Sequence, residues 1–136
     1  MSGWTYFWVA IGSALGGMAR YWLTGFVAIL LGPQFPWGTI LINIIVSFII
    51  GFFGTVTAHR WPVSFELRAF VMVGLCGGFT TFSAFSLQTL ELARFGRWLE
   101  AGGNIVLSVV LCLIAVWAGH ALAAALGGTG PAPGTE

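Results

Sequence analysis

Ten consecutive residues, Gly77–Ser86, combine glycines, hydroxyl groups and phenyl rings inside a stretch that is otherwise apolar. Two adjacent glycines and four hydroxyl side chains weaken a helix, and lipid offers no water to the backbone groups that are freed. The segment is therefore expected to face protein or a wet cavity. Its hydroxyl groups can donate hydrogen bonds without carrying a charge, so Gly77–Ser86 is the first candidate binding site.

Small polar residues also recur every four positions in two other apolar stretches, and this spacing places each set on one face of a helix. The two sets are Thr39, Asn43 and Ser47, and Asn104, Ser108 and Cys112. Hydrogen bonds between packed helices are one explanation. The amide of Asn43 is harder to satisfy in that way, because it has two donor hydrogens and two acceptor lone pairs. It can also donate to an anion.

The four acidic residues lie near expected helix ends or in the tail, at Glu66, Glu91, Glu100 and Glu136. A proton-coupled carrier would need an ionisable group within the membrane to bind or relay protons. The neutral donors in the apolar stretches therefore favour a path for an anion.

Phe82 and Phe85 are three positions apart, so they share one face of a helix. Such spacing is usually explained by packing alone. A phenyl ring is also positive at its edge, so rings turned edge-on would attract a small anion weakly. Weak binding suits conduction, because the ion must leave as well as enter.

Two glycines and one arginine complete the candidate residues. Gly77 and Gly78 expose nearby carbonyl groups, which can coordinate a cation where a membrane helix is broken. Gly74 and Gly78 also suit close helix packing, and both interpretations can hold.

Arg20 lies well inside the first apolar stretch. It either adds charge to an anion-attracting vestibule or reaches one membrane interface.

The composition places these residues in a membrane protein. The 136 residues are 58% hydrophobic and 7% charged, whereas soluble domains are about 25% charged. We predict an all-α fold of four transmembrane helices, at about residues 4–31, 37–58, 68–92 and 101–126, with the third helix broken near Gly77–Thr80. Residues 1–126 then form one transmembrane domain, and residues 127–136 form a flexible tail. The short connections leave no surface for nucleic acid.

The arginines predict no clear orientation. Arg60 and Arg68 flank the second connection, and Arg94 and Arg97 lie in the third, so the two sides of the membrane carry two arginines each. The positive-inside rule then does not decide. Copies of opposite orientation could pair about a two-fold axis in the membrane plane. The alternative is a fixed orientation that Arg20 or the insertion machinery determines.

The chain closely resembles the Fluc (CrcB) fluoride channels, and the resemblance extends over all four predicted spans. The third-span motif is the specific one, and the others would be weak alone. The matching segments are Gly16–Tyr21, Pro36–Asn43, Gly74–Phe85 and Asn104–Ser108. The resemblance implies an antiparallel, dual-topology homodimer among the lipids of the bacterial inner membrane. It also implies passive, selective export of fluoride, which protects the cell from fluoride toxicity.

The resemblance also implies roles for particular residues. Asn43 would donate to the ion, Phe82 and Phe85 would turn ring edges toward it, and the fourth span would supply a polar track. The matching pathway positions are Asn43, Phe82, Phe85, Ser108, Cys112, Thr39, Thr81 and Ser83. Backbone carbonyls of Gly77 and Thr80 would hold a structural sodium ion at the dimer interface.

Three positions depart from the family pattern: Ala84, Gln88 and Cys112. Cys112 has only a weak S–H donor, so it puts the far end of the polar track in question.

Two other functions remain open. A small dual-topology multidrug exporter would need a carboxylate in the first span, where this chain has none. A non-transporting assembly subunit would not explain the clustered phenylalanines. No pair of catalytic residues is visible, so an enzyme is not expected.

Overall fold

The computed structural model describes residues 2–59 and 61–128; their regular secondary structure is helical, and they contain no β-strand. Four helices are long and apolar enough to cross a membrane, and we call them the first to fourth spans. They are Gly3–Leu31, Trp37–Ala58, Phe65–Arg94 and Trp98–Gly127. The prediction of an all-α protein with four spans is confirmed. Arg60 and most of the predicted tail, from residue 129 onward, lie outside the described residues.

Two spans begin earlier than the sequence predicted. The third begins at Phe65, where the Ser64 hydroxyl accepts a hydrogen bond from the Leu67 amide at 3.1 Å. The fourth begins at Trp98, after a turn in which Gly96 has a φ of 77°. Glycine adopts this left-handed conformation without steric cost. The polar connection between these spans is therefore three residues long, 95–97.

The spans pack mainly as two pairs, the first against the third and the second against the fourth. Glycines allow close approach in both pairs. A Cβ atom on Gly78 would lie 2.6 Å from the Ser13 carbonyl oxygen, and one on Gly119 would lie 2.2 Å from that of Phe48. The expected close packing at Gly78 is therefore present. Most bulky apolar side chains point outward, including Trp117, which is 69% exposed in the protomer and suits contact with lipid.

The third span changes its backbone conformation along its length. After the short helix Phe65–Arg68, residues Ala69–Cys76 form a wider π-helix, and Gly77–Phe79 return to the α-helical form. Thr80 and Thr81 are extended, with φ of −80° and −154°, and a regular helix resumes over Phe82–Arg94. The extended pair frees backbone groups at this point of the span, and these groups need other partners.

Candidate functional site

The largest group of predicted site residues meets in one cavity of about 390 Å³. Side chains from the second, third and fourth spans line it together. The lining residues are Asn43, Ser47, Thr80, Thr81, Phe82, Phe85, Ser108, Val109, Cys112 and Leu113. Among these described residues there is no Asp, Glu, Lys or Arg, so the cavity offers neutral amide and hydroxyl groups beside phenyl rings.

Asn43 holds the extended segment of the third span in place. Its Oδ1 atom accepts a hydrogen bond from the Thr81 backbone amide at 3.2 Å, and its Nδ2 atom donates to the Thr81 carbonyl at 3.5 Å. A side-chain amide thus replaces the helical partners that the extended backbone gives up. An amide has two N–H hydrogens, so Asn43 keeps one donor for the cavity.

Thr81 starts the helix that carries the two phenyl rings. Its side-chain oxygen accepts a hydrogen bond from the Ala84 amide at 3.1 Å, which is the usual role of a threonine N-cap. Phe82 and Phe85 therefore lie in the first turn of the helix. Their ring centroids are 5.4 Å apart, with planes inclined at 44°. Phe82 is 78% exposed in the protomer.

The fourth span is tied to the third by a short chain of hydrogen bonds beside the cavity. The Ser108 hydroxyl donates to Asn104 Oδ1 at 3.3 Å, and Asn104 Nδ2 donates to Thr89 Oγ1 at 2.9 Å. The Thr89 hydroxyl donates in turn to the Phe85 carbonyl at 2.8 Å. Asn104 is only 1% exposed, so its polar atoms depend on these protein partners.

Four candidates lie outside the cavity lining. Thr39 is buried and does not line the cavity, although it shares a helix face with Asn43. Ser83 is exposed, with its hydroxyl 3.4 Å from that of Thr81. Arg20 does not line the cavity, and its Nε atom is buried without a hydrogen-bond partner in the described part of the chain. Gly77 lies in the helical turn before Thr80–Thr81.

The three residues that depart from the family pattern lie in different parts of the structure. Ala84 contributes its backbone amide to the Thr81 cap, and Cys112 lines the cavity. Gln88 lines a separate hollow of about 280 Å³ near the ends of the spans, together with Glu91 and Arg97. Its Oε1 atom is buried and has no hydrogen-bond partner within residues 2–59 and 61–128. Gln88 is therefore not part of the main cavity.

Two residues near the cavity were not among the predicted site residues. Ser47 lines it, and its four-residue spacing from Asn43 was the available signal. Thr89 connects Asn104 to the Phe85 carbonyl. Its spacing from Phe85 is compatible with one helix face, but nothing in the sequence indicates which residue of the fourth span it meets.

Four membrane-spanning helices, three of which line a cavity of neutral donors, define a small integral membrane protein. No group of three His, Cys, Asp or Glu side chains able to hold a metal occurs in the described ranges.

Comparison with known proteins assigns the chain to a family. The family model described as CrcB-like protein, Camphor Resistance (CrcB), matches residues 7–120. A Methylocella silvestris protein named fluoride-specific ion channel FluC is 63% identical over 89% of this chain and 94% of its own length. Relatives of the same name from Opitutus terrae and Rhodospirillum rubrum are each 56% identical, over 89% and 85% of this chain and 93% and 92% of their own lengths. The chain belongs to the CrcB-like family and is a multi-pass protein of the cell membrane.

Proposed function

We propose that this protein is a fluoride-selective ion channel that passively exports fluoride and thereby protects the cell from fluoride toxicity. The observation that carries the proposal is the cavity, where Asn43, two phenyl rings and the Ser108 hydroxyl meet without a charged side chain. The names of relatives at 56–63% identity identify the ion. The family assignment favours a channel over a multidrug exporter or an assembly subunit.

The cavity offers fluoride several weak interactions in place of its water shell. The free N–H of Asn43 donates a hydrogen bond, and the edges of the Phe82 and Phe85 rings supply partial positive charge. Hydroxyl groups of Thr81 and Ser108 extend the path, and the thiol of Cys112 continues it with a weaker donor. Because no fixed positive charge holds the ion, it can move on to the next position.

The functional unit in this proposal is an antiparallel homodimer with two ion pathways. Phe82 is 78% exposed in the protomer although it lines the cavity, so a second copy would complete the cavity wall at this residue. Gly77 also has open space around it, since an added Cβ would have no contact closer than 3.9 Å. Reporters of membrane sidedness fused to each terminus should reveal molecules of both orientations. A single orientation would contradict the dual topology.

A structural sodium ion at the dimer centre is part of the same proposal. In an unbroken helix the Gly77 carbonyl would accept from the Thr81 amide, but that amide donates to Asn43 instead. The Thr80 carbonyl would likewise accept from the Ala84 amide, which donates to the Thr81 hydroxyl. Both carbonyls are thus among those left without their usual helical donor, and neutral oxygens are suitable ligands for a hard cation.

The sodium proposal has its own test. Exchanging sodium for a bulky organic cation during purification should lower the thermal stability of the dimer and slow fluoride flux. Restoring sodium should recover both properties. Equal stability and flux after complete exchange would count against a structural sodium ion, without affecting the assignment of the transported ion.

Fluoride conduction itself is tested in liposomes loaded with potassium fluoride and a potassium ionophore to balance charge. We expect rapid release of fluoride, measured with an ion-selective electrode, and no release of chloride from matched vesicles. Absence of fluoride release, or equal release of chloride, would reject the proposed function.

A further inference from the structure

The three-residue relay of Ser108, Asn104 and Thr89 has a direction that its donors and acceptors fix. Thr89 has a single hydroxyl proton, and its oxygen lies 2.8 Å from the Phe85 carbonyl, which can only accept. The Thr89 hydroxyl proton is therefore donated to the Phe85 carbonyl oxygen. Thr89 must then act as the acceptor toward Asn104, at a distance of 2.9 Å.

The direction at Thr89 determines the orientation of the Asn104 amide. The Nδ2 group must face Thr89, so Oδ1 faces Ser108 at 3.3 Å. An amide oxygen only accepts, and the Ser108 proton is accordingly directed at Asn104. The Ser108 hydroxyl thus presents lone pairs to the cavity that it lines, whereas an anion would need its proton.

We propose that Thr89 and Asn104 are positioning residues that hold the Ser108 proton away from the ion path and so weaken fluoride binding at Ser108. This inference rests on the proposed function. To bind fluoride, the Ser108 hydroxyl has to rotate and give up its bond to Asn104, the longest of the three in the relay. When the ion leaves, the bond to Asn104 forms again, which speeds release and favours rapid conduction.

The competing explanation is that the relay only packs the fourth span against the third. The two explanations predict opposite results for Thr89→Val, which keeps the side-chain shape but removes the acceptor. Without Thr89 Oγ1, the Asn104 side-chain amide is expected to rotate by about 180° and donate to Ser108. A buried N–H without a hydrogen-bond partner is less tolerated than a buried carbonyl without one. The Ser108 proton is then free for fluoride. A merely structural loss would instead reduce flux without tightening binding.

The experiment measures channel current in planar bilayers as a function of fluoride concentration for wild type, Thr89→Val and Thr89→Ser. The valine variant should lower the half-saturating fluoride concentration by about three- to tenfold, the effect expected from one neutral hydrogen bond, and should lower the maximal current. Thr89→Ser retains the hydroxyl and should match wild type. In a Ser108→Ala background, Thr89→Val should produce no further change in half-saturation, as expected if its effect acts through Ser108.

A second variant keeps the inference testable if Thr89→Val does not fold. Asn104→Leu has a similar branched shape but offers no acceptor to Ser108, so it should also lower the half-saturating concentration. An unchanged or higher value in the folded variants would overturn the positioning role. The proposed function is tested separately, by whether the wild-type protein carries a fluoride current at all. That measurement does not depend on any substitution in the relay.

Discussion

Replacing Asn43 by aspartate separates the structural role of this residue from its role in ion binding. The Oδ1 atom of Asn43 accepts from the Thr81 amide at 3.2 Å, and a carboxylate oxygen can accept the same bond. The Nδ2 donor is lost and becomes a negatively charged oxygen. Its 3.5 Å contact with the Thr81 carbonyl then becomes weakly repulsive. Asn43→Asp should therefore fold, yet present the wrong charge to an anion.

The expected effect on conduction is large and that on stability is small. Two like unit charges about 4 Å apart repel by about 4 kcal/mol at an effective dielectric constant of about 20. Since about 1.36 kcal/mol corresponds to a factor of ten, fluoride flux should fall roughly a thousandfold. Losing the longer hydrogen bond should lower the free energy of unfolding by only about 1 kcal/mol. Asn43→Ala loses both bonds and should lose about twice as much stability.

The assay compares fluoride efflux from liposomes with thermal unfolding in detergent for both variants. Asn43→Asp should be the more stable of the two and the slower conductor. Thr39→Val is the matched control, since Thr39 lies one turn away on the same face, is buried, and does not line the cavity. It should retain wild-type flux. Flux of Asn43→Asp within about threefold of wild type, against the calculated thousandfold, would refute the placement of the ion beside Asn43.

Three further substitutions test other parts of the structure. Phe82→Ile keeps an apolar side chain but removes the ring edge, and fluoride efflux should fall roughly fivefold, since the ring contributes about 1 kcal/mol; unchanged efflux would place the path elsewhere. Gly78→Ala puts a Cβ 2.6 Å from the Ser13 carbonyl oxygen, so thermal unfolding should show a loss of about 1–3 kcal/mol, whereas Gly102→Ala, with open space at its Cβ, is the control. Thr81→Val removes the cap on the Ala84 amide and should cost about 1 kcal/mol of stability, with Thr81→Ser close to wild type.

The spans were predictable from the sequence because hydropathy and length suffice to identify them, but their ends were not. The third span begins at Phe65 because Ser64 caps it, and the turn before the fourth is short because Gly96 is left-handed. Such caps depend on single hydrogen bonds and dihedral angles. A hydrophobic average over about 20 residues cannot register them.

Four-residue spacing predicted which polar residues share a face, and it placed Asn43 and Ser47 correctly together on the cavity wall. It failed to exclude Thr39, which has the same spacing but does not line the cavity. Periodicity specifies a direction around the helix axis and not a depth along it. It also could not reveal Thr89, because the pairing of two helices depends on their packing and not on the pattern within either helix.

The Asn43–Thr81 contact joins the two sites that the proposed function requires. By accepting from the Thr81 amide, Asn43 removes the helical donor of the Gly77 carbonyl and at the same time fixes its own amide beside the cavity. The Thr81 hydroxyl then caps the helix that carries both phenyl rings. The oxygens proposed for sodium and the donors proposed for fluoride thus depend on the same few hydrogen bonds. Asn43→Ala and Thr81→Val should for that reason change cation dependence and fluoride flux together, whereas Thr89→Val should change flux alone.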